Sequence, residues 1–164
     1  MTIREFAPAD QAGVNQLQAE FMHEFFPEFA DDPRQLEWNA DIYDIYAGYI
    51  VNGGKMWVVV ENDAIVGVGG FRRVSPGVAE IKRIRIKASC RGKGYGKAIV
   101  RLVEAYCLDH GISKILVDTD ERLATAKTMY EHLGYRVYRK ETEMEGGREY
   151  INYYFEKVLP SVPG

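Results

Sequence analysis

The chain has 164 residues, 46% hydrophobic and 27% charged, with a formal net charge of −3. That length fits one compact domain, and the composition excludes disorder, a collagen-like repeat and a disulfide-stapled scaffold. No apolar run approaches the roughly 18 residues of a membrane helix. Residues 1–5 lack the basic start and apolar stretch of a secretory signal, so a cytoplasmic location is expected.

Thr2 to Phe6 alternates and predicts a first strand. Pro8 to Asp10 opens a helix whose Val14, Leu17, Phe21 and Phe25 form one stripe, and Pro27 ends it. Asp32-Pro33 starts a second helix, with Asp as N-cap and Pro as first residue. Leu36, Ile42, Ile45, Tyr46 and Tyr49 are expected to share its face, up to Gly53-Gly54.

From Lys55 the period changes. Met56 to Val60, Ile65 to Arg73 and Val78 to Lys87 read as a three-strand meander with turns at 61–63 and 75–77. A glycine-rich loop, Arg91 to Gly96, then leads into a helix with Ile99, Leu102, Val103 and Tyr106 on one face, stopped by Gly111. Lys114 to Asp118 is a strand and Arg122 to Leu133 a helix ended by Gly134. Tyr135 to Thr142 and Glu149 to Val158 are two last strands joined through Gly146-Gly147. The order β-α-α-β-β-β-α-β-α-β-β predicts an α/β (α+β) fold, with a mixed sheet of about seven strands and helices on both faces. A single domain over 1–160 with a short tail, 161–164, is expected.

The charge is unevenly spread. Residues 82–101 carry eight basic side chains and no acidic one, whereas residues 1–64 carry 12 acidic and 3 basic. The two cysteines, Cys90 and Cys107, make no framework, so free thiols are expected. His23, His110 and His132 have no metal-ligand spacing, and no metal is expected.

Arg91-Gly92-Lys93-Gly94-Tyr95-Gly96-Lys97 follows a strand and opens a helix. Glycines let the backbone approach a ligand, first-turn N–H groups converge, and the helix dipole adds positive charge. This suits a phosphate or pyrophosphate. A P-loop would need Gly at 91 and Ser or Thr at 98, where Arg91 and Ala98 stand. The dinucleotide fingerprint fails on its spacing and on the meander before it.

The pattern Arg91-x-x-Gly94-x-Gly96 resembles the pyrophosphate loop of the Gcn5-related N-acetyltransferases (GNAT), which bind acetyl-CoA. Glu80 to Ile86 resembles that family's central strand. Met129-Tyr130-Glu131-His132-Leu133-Gly134-Tyr135 resembles its late Leu-Tyr-x-x-x-Gly-Phe motif. The element order matches the family fold over almost the whole chain.

Parity in the central strand points to a bulge. Ile81 and Ile84 fall on opposite faces of a regular strand, and a bulge near Lys82-Arg83 would restore a common face with Ile86. The resemblance implies that Ile84, Arg85 and Ile86 run along the cofactor, with main-chain contacts from Ile84 and Ile86. It gives Arg91, Gly92, Lys93, Gly94, Tyr95, Gly96 and Lys97 to the pyrophosphate. Tyr130 would lie near the CoA sulfur and protonate the leaving thiolate. Ala126 keeps the small residue expected four positions earlier, while Leu123 replaces an Asn common in the family. Glu80 is the candidate general base, against a plain ion pair with Lys82 or Arg83; Asp118 and Asp120 are weaker alternatives.

The basic stretch is attributed to the CoA phosphates rather than to nucleic acid, because it flanks this loop in an acidic protein. Acidity in residues 1–64 would favour a cationic acceptor amine. The expected activity is acetyl transfer from acetyl-CoA, as cosubstrate, to a small cationic amine or peptide amine, by direct attack in a ternary complex. Cys90 has no base placed to activate it as a nucleophile. The alternative is a non-catalytic acetyl-CoA-binding or sensing module. No membrane partner is expected, and the resemblance admits a homodimer.

Overall fold

The computed structural model describes residues 1–160, so the expected tail 161–164 lies outside the described residues. Seven strands form one sheet in the order β1-β2-β3-β4-β5-β7-β6. They are β1 (Thr2–Glu5), β2 (Lys55–Glu61), β3 (Ala64–Ser75), β4 (Val78–Ile86), β5 (Lys114–Asp120), β6 (Arg136–Glu145) and β7 (Arg148–Val158). The helices are α1 (Gln11–Phe25), α2 (Arg34–Trp38), α3 (Ala40–Tyr43), α4 (Tyr95–Asp109) and α5 (Ala124–His132), with a π-helical turn at Tyr46–Ile50.

The expected second helix is a correction. It breaks into α2, α3 and the π turn. Leu36 and Tyr46 are exposed, while Ile42, Ile45 and Tyr49 are buried. Polar side chains compete for the backbone at both breaks. Asn39 Nδ2 donates to the Gln35 carbonyl at 2.9 Å, and Asp44 Oδ1 accepts from the Ala47 N–H at 3.1 Å. The first helix of the segment begins at Arg34, one residue later than expected and with Pro33 in the capping position, and Asp32 accepts from the Arg34 N–H at 2.9 Å.

Helices cover both sheet faces. Val14 and Leu17 of α1 pack with Ile42, Ile45, Met56, Val58 and Val68 on one. Val100, Val103 and Cys107 of α4 join Phe71, Ile81, Ile115, Val117, Tyr130 and Phe155 on the other. Each fully buried aliphatic side chain there contributes about 1.5–3 kcal/mol.

Two features of β4 position the site. Its parallel pairing with β5 covers only Val78–Glu80 against Lys114–Leu116, after which the strands part. Its register with β3 slips between Val68↔Arg85 and Gly70↔Lys82, and Arg83 takes φ 59°. This is the bulge that parity required. Gly69 permits it, because a Cβ there would lie 2.4 Å from Ile84 Cδ1. Ile84 and Ile86 thereby return to the α4 face, against Tyr95 and Ile99.

Candidate active site

The site is built around the split between β4 and β5. The glycine loop stands beyond the end of β4. Gly92 and Gly94 take φ 81° and 83°, a region that favours glycine. A Cβ at either position would meet nothing within 4 Å, so the loop backbone faces open space. Beside it, a groove of about 490 Å³ runs between Lys97 of α4 and Ala124, Thr128, Met129 and His132 of α5. The open loop and this groove fit a pyrophosphate joined to a slender arm. On the α5 side, the Thr119 hydroxyl is buried without a hydrogen-bond partner among the described residues.

The basic side chains are largely engaged within the protein. Arg91 Nη1 and Nη2 donate to Glu24 of α1, the latter at 2.7 Å, and Arg91 Nε donates to the Ile86 carbonyl at 3.2 Å. Lys93 pairs with Glu61 at 3.1 Å, and the Tyr95 hydroxyl donates to the same carboxylate at 2.6 Å. Lys87 pairs with Glu20, Arg83 with Asp41, Lys82 with Glu80 and Arg101 with Glu104. Of the eight basic residues in 82–101, Arg85 and Lys97 have no ion-pair partner among the described residues. Composition pointed to the CoA phosphates as the reason for the basic cluster; in this structure carboxylates of the chain itself face six of the cluster's eight members. Four of its partners, Glu20, Glu24, Asp41 and Glu61, come from the acidic residues 1–64.

Arg83 joins the bulge to the helices over this face. Its Nη2 and Nε donate to Asp41 at 2.7 and 2.9 Å, and Nη1 donates to Asn39 Oδ1 at 2.8 Å. The Tyr49 hydroxyl also donates to Asp41. Burial would raise the Asp41 pKa, but Arg83 and Tyr49 outweigh it and bring it down to about 2.

Tyr130 is buried, with its ring edge-on to Tyr135 at 5.7 Å and tilted against Phe155 at 5.9 Å. Its hydroxyl has no hydrogen bond to the described residues. Burial pushes its pKa up; Arg85 pulls the other way and Asp118 adds to the rise. These two charges flank the split. Arg85 turns to the α1 face, where Nε donates to Gln18 Oε1 at 3.1 Å, Nη1 donates to the Ile84 carbonyl at 3.2 Å, and the guanidinium lies 3.7 Å from the Phe21 ring centre. Burial and neighbouring Arg83 lower its pKa to about 9, so it stays charged at neutral pH. Asp118, on β5, accepts from Asn152 Nδ2 at 2.8 Å and has no cation partner among the described residues.

Glu80 sits at the closed end of the split. It accepts from Arg72 Nε at 2.7 Å and has Lys82 Nζ at 3.8 Å. Sequence pointed to Lys82 or Arg83 as partners; Arg72 comes from the facing register of β3. Leu123 packs into an aromatic cluster with Phe21, Phe25, Phe26, Phe29 and Trp38. Its apolar side chain thus belongs to the wall on the α1 side. Ala126 packs against the core beside Tyr130. Arg85 as an unpaired charge, Asp118 as its counterpart and Arg83 as a tie to α3 carry no sequence signal, because each depends on which groups the fold brings near.

Among the described residues no group of three His, Cys, Asp or Glu side chains is placed to hold a metal ion, and no helix is long and apolar enough to cross a membrane. Both cysteines are free and buried.

Comparison with known proteins agrees with this architecture. Human N-acetyltransferase 8B is 29% identical over 103 residues, covering 59% of this chain and 45% of that protein. N-acetylaspartate synthetase of Danio rerio is 31% identical over 100 residues, covering 60% and 36%. The chain spans less than half the length of these curated relatives. An acetyltransferase of the GNAT family from Staphylococcus aureus superposes with a TM-score of 0.80 at 20% identity, covering 97% of this chain and 99% of that one. A phosphinothricin acetyltransferase from Sinorhizobium meliloti, solved with acetyl-CoA, gives 0.78 at 17% identity, covering 96% and 88%. The family model for the acetyltransferase (GNAT) family matches residues 14–135, three quarters of the sequence and every element of the split site but the last hairpin, and the chain belongs to that family.

Proposed function

We propose that this chain is an N-acetyltransferase that moves the acetyl group of acetyl-CoA directly to a primary amine in a ternary complex. The observation that carries the reading is the split between β4 and β5, with an open glycine loop beyond the end of β4 and Tyr130 buried in the core that both strands share. The loop Arg91–Lys97 would hold the pyrophosphate. The main chain at Ile84 and Ile86 would pair with the arm, and Ala126 leaves room for it. Acetyl-CoA supplies the thioester.

Tyr130 gives its proton to the departing sulfur as the carbon–sulfur bond breaks and the new carbon–nitrogen bond forms. The proton lost by the amine goes to a carboxylate. The surroundings favour Asp118 over Glu80, because Glu80 is already bound by Arg72 and Lys82 at the closed end. The cationic preference first suggested by the acidic residues 1–64 loses support, since four of those acids are spent on internal pairs.

The test is incubation with acetyl-CoA and a panel of amines, following thiol release and the mass of the product. Acetylated amine with wild type and a large loss in Tyr130→Phe support the reading. Tight CoA binding with no amine acetylated would overturn it in favour of a binding or sensing module.

A further inference from the structure

Arg85 and Asp118 stand on the same sheet face, on opposite sides of the split. Alternation makes this plain. Glu80 and Leu116 are register partners facing away from the core that holds Ala79 and Ile115. Asp118 keeps the parity of Leu116, and the bulge returns Arg85 to the side of α1, where it meets Gln18 and Phe21. Neither charge has an ion-pair partner among the described residues, and they do not pair with each other. This is unusual in a chain where six of the seven other basic residues in 82–101 are paired with carboxylates.

The surroundings of Arg85 are short of acceptors. Two of the five N–H donors of its guanidinium are used, on Gln18 and Ile84, and Nη2 has no partner among the described residues. Gln18 is fully buried, and its Nε2 also lacks a partner. The Gln18 amide is thus a buried donor without an acceptor, next to a guanidinium whose Nη2 is also unpartnered, and a buried unpaired donor is costly unless something fills it. A water could serve one of them, but the net positive charge asks for an anion. Across the split, Asp118 keeps one oxygen on Asn152 and offers the other to a cation. The complement of this pair is a molecule with a carboxylate and an ammonium a few ångströms apart.

We infer that the acceptor is a free α-amino acid, its carboxylate held by Arg85 and Gln18 and its ammonium by Asp118. The inference rests on the transferase reading above and names its substrate class. The ammonium bound to Asp118 loses its proton there and attacks as the free amine, with the thiol leaving protonated by Tyr130. The wall of Phe21, Phe25, Phe26 and Leu123 beside Arg85 takes the acceptor's side chain, so an apolar amino acid fits better than a charged one. Polyamines and internal lysines lack the carboxylate and leave Arg85 unmatched.

The experiment compares leucine and phenylalanine with their amides, with the corresponding decarboxylated amines and with spermidine, in the intact chain with acetyl-CoA. Wild type is expected to favour the acid over its amide by about 10- to 100-fold in kcat/KM, the range of a charge-assisted hydrogen bond. Arg85→Gln should bring that ratio to within about threefold of unity, and Arg85→Lys should restore part of it. Calorimetry with the CoA-loaded protein gives a second readout, in which the amino acid binds and its amide does not. Amides or spermidine acetylated as well as the acids would overturn the inference while leaving the transferase reading intact. Equal loss for acid and amide in Arg85→Gln would overturn it too. Transfer to no amine would instead sink the transferase reading, and the binding comparison would still decide whether the acid is recognised.

Discussion

Arg91, in the loop proposed to hold the pyrophosphate, is bound through both terminal nitrogens to Glu24 at the end of α1. Lys93 repeats the arrangement with Glu61 at the end of β2. Phosphate binding at this loop must displace or share these carboxylates. Arg91 also lowers the pKa of Glu24, so the competitor is ionised throughout the physiological range. Glu24→Gln and Glu61→Gln are therefore expected to tighten CoA binding by a few-fold at low salt, the scale of exposed ion pairs. The gain should shrink at high salt. Titration calorimetry at two salt concentrations checks this. Weaker binding would mean that the acids orient the loop instead of competing with the ligand.

Tyr130 is expected to work as an acid without limiting the enzyme at alkaline pH. Burial raises its pKa above the ordinary 10.0, so the phenol keeps its proton through neutral and mildly alkaline solution. The rate should show no loss attributable to this group up to about pH 10. Tyr130→Phe should lower kcat by about 10²-fold, the scale of general-acid catalysis. It should change stability by less than about 1 kcal/mol, since the hydroxyl has no protein hydrogen bond to lose among the described residues. A kcat–pH profile and a denaturation curve on the variant test both parts.

Asp118→Asn should cost more activity than Glu80→Gln. The first removes a carboxylate without a cation partner at the open end of the split. The second removes one already held by Arg72 and Lys82. A loss of about 10²-fold in kcat/KM for the first, against less than tenfold for the second, is the expected contrast. The reverse order in a side-by-side assay would return the role of base to Glu80.

The Asp41–Arg83 pair should make stability fall in acid. The Asp41 pKa moves from 3.8 to about 2 on folding, so the pair stabilises the native state by about 2 kcal/mol above pH 4. Because the folded value is the lower one, that contribution is lost as pH falls from about 4 to 2. Asp41→Asn should be destabilised relative to wild type at pH 7, with the gap closing near pH 2. Urea unfolding across this range decides it, and a gap that does not change with pH would rule the linkage out.

Gly94→Ala tests the loop. With φ 83° and no neighbour within 4 Å of a Cβ, the strain of the left-handed backbone is the main cost, about 1–2 kcal/mol. A weaker affinity for CoA should accompany the drop in thermal midpoint if this backbone meets the phosphates.

Much of the architecture was legible because it rests on local rules. Period and turn residues located the strands and the two long helices. The spacing of Ile81, Ile84 and Ile86 required the bulge, since a strand alternates strictly and three apolar residues can share one face only if a residue is inserted. The loop was legible because Gly92, Gly94 and their basic neighbours are contiguous. The segment 33–52 was not, because Asn39 and Asp44 turn their side chains onto the backbone and defeat a helical period that is otherwise present.

The sequence by itself also determined that the chain's charge is divided into an acidic first third and a basic central stretch. Only the tertiary structure decided what that division means. Ion pairing acts over a few ångströms, and the partners of Arg83, Arg91 and Lys93 lie 42, 67 and 32 residues away along the chain. Folding places the acidic helices over the basic strand and loop, so most of the opposite charges cancel. The exceptions, Arg85 and Asp118, stand apart because β4 and β5 separate after three paired residues. A charge left unmatched inside a fold is a property of position, and a composition cannot record it.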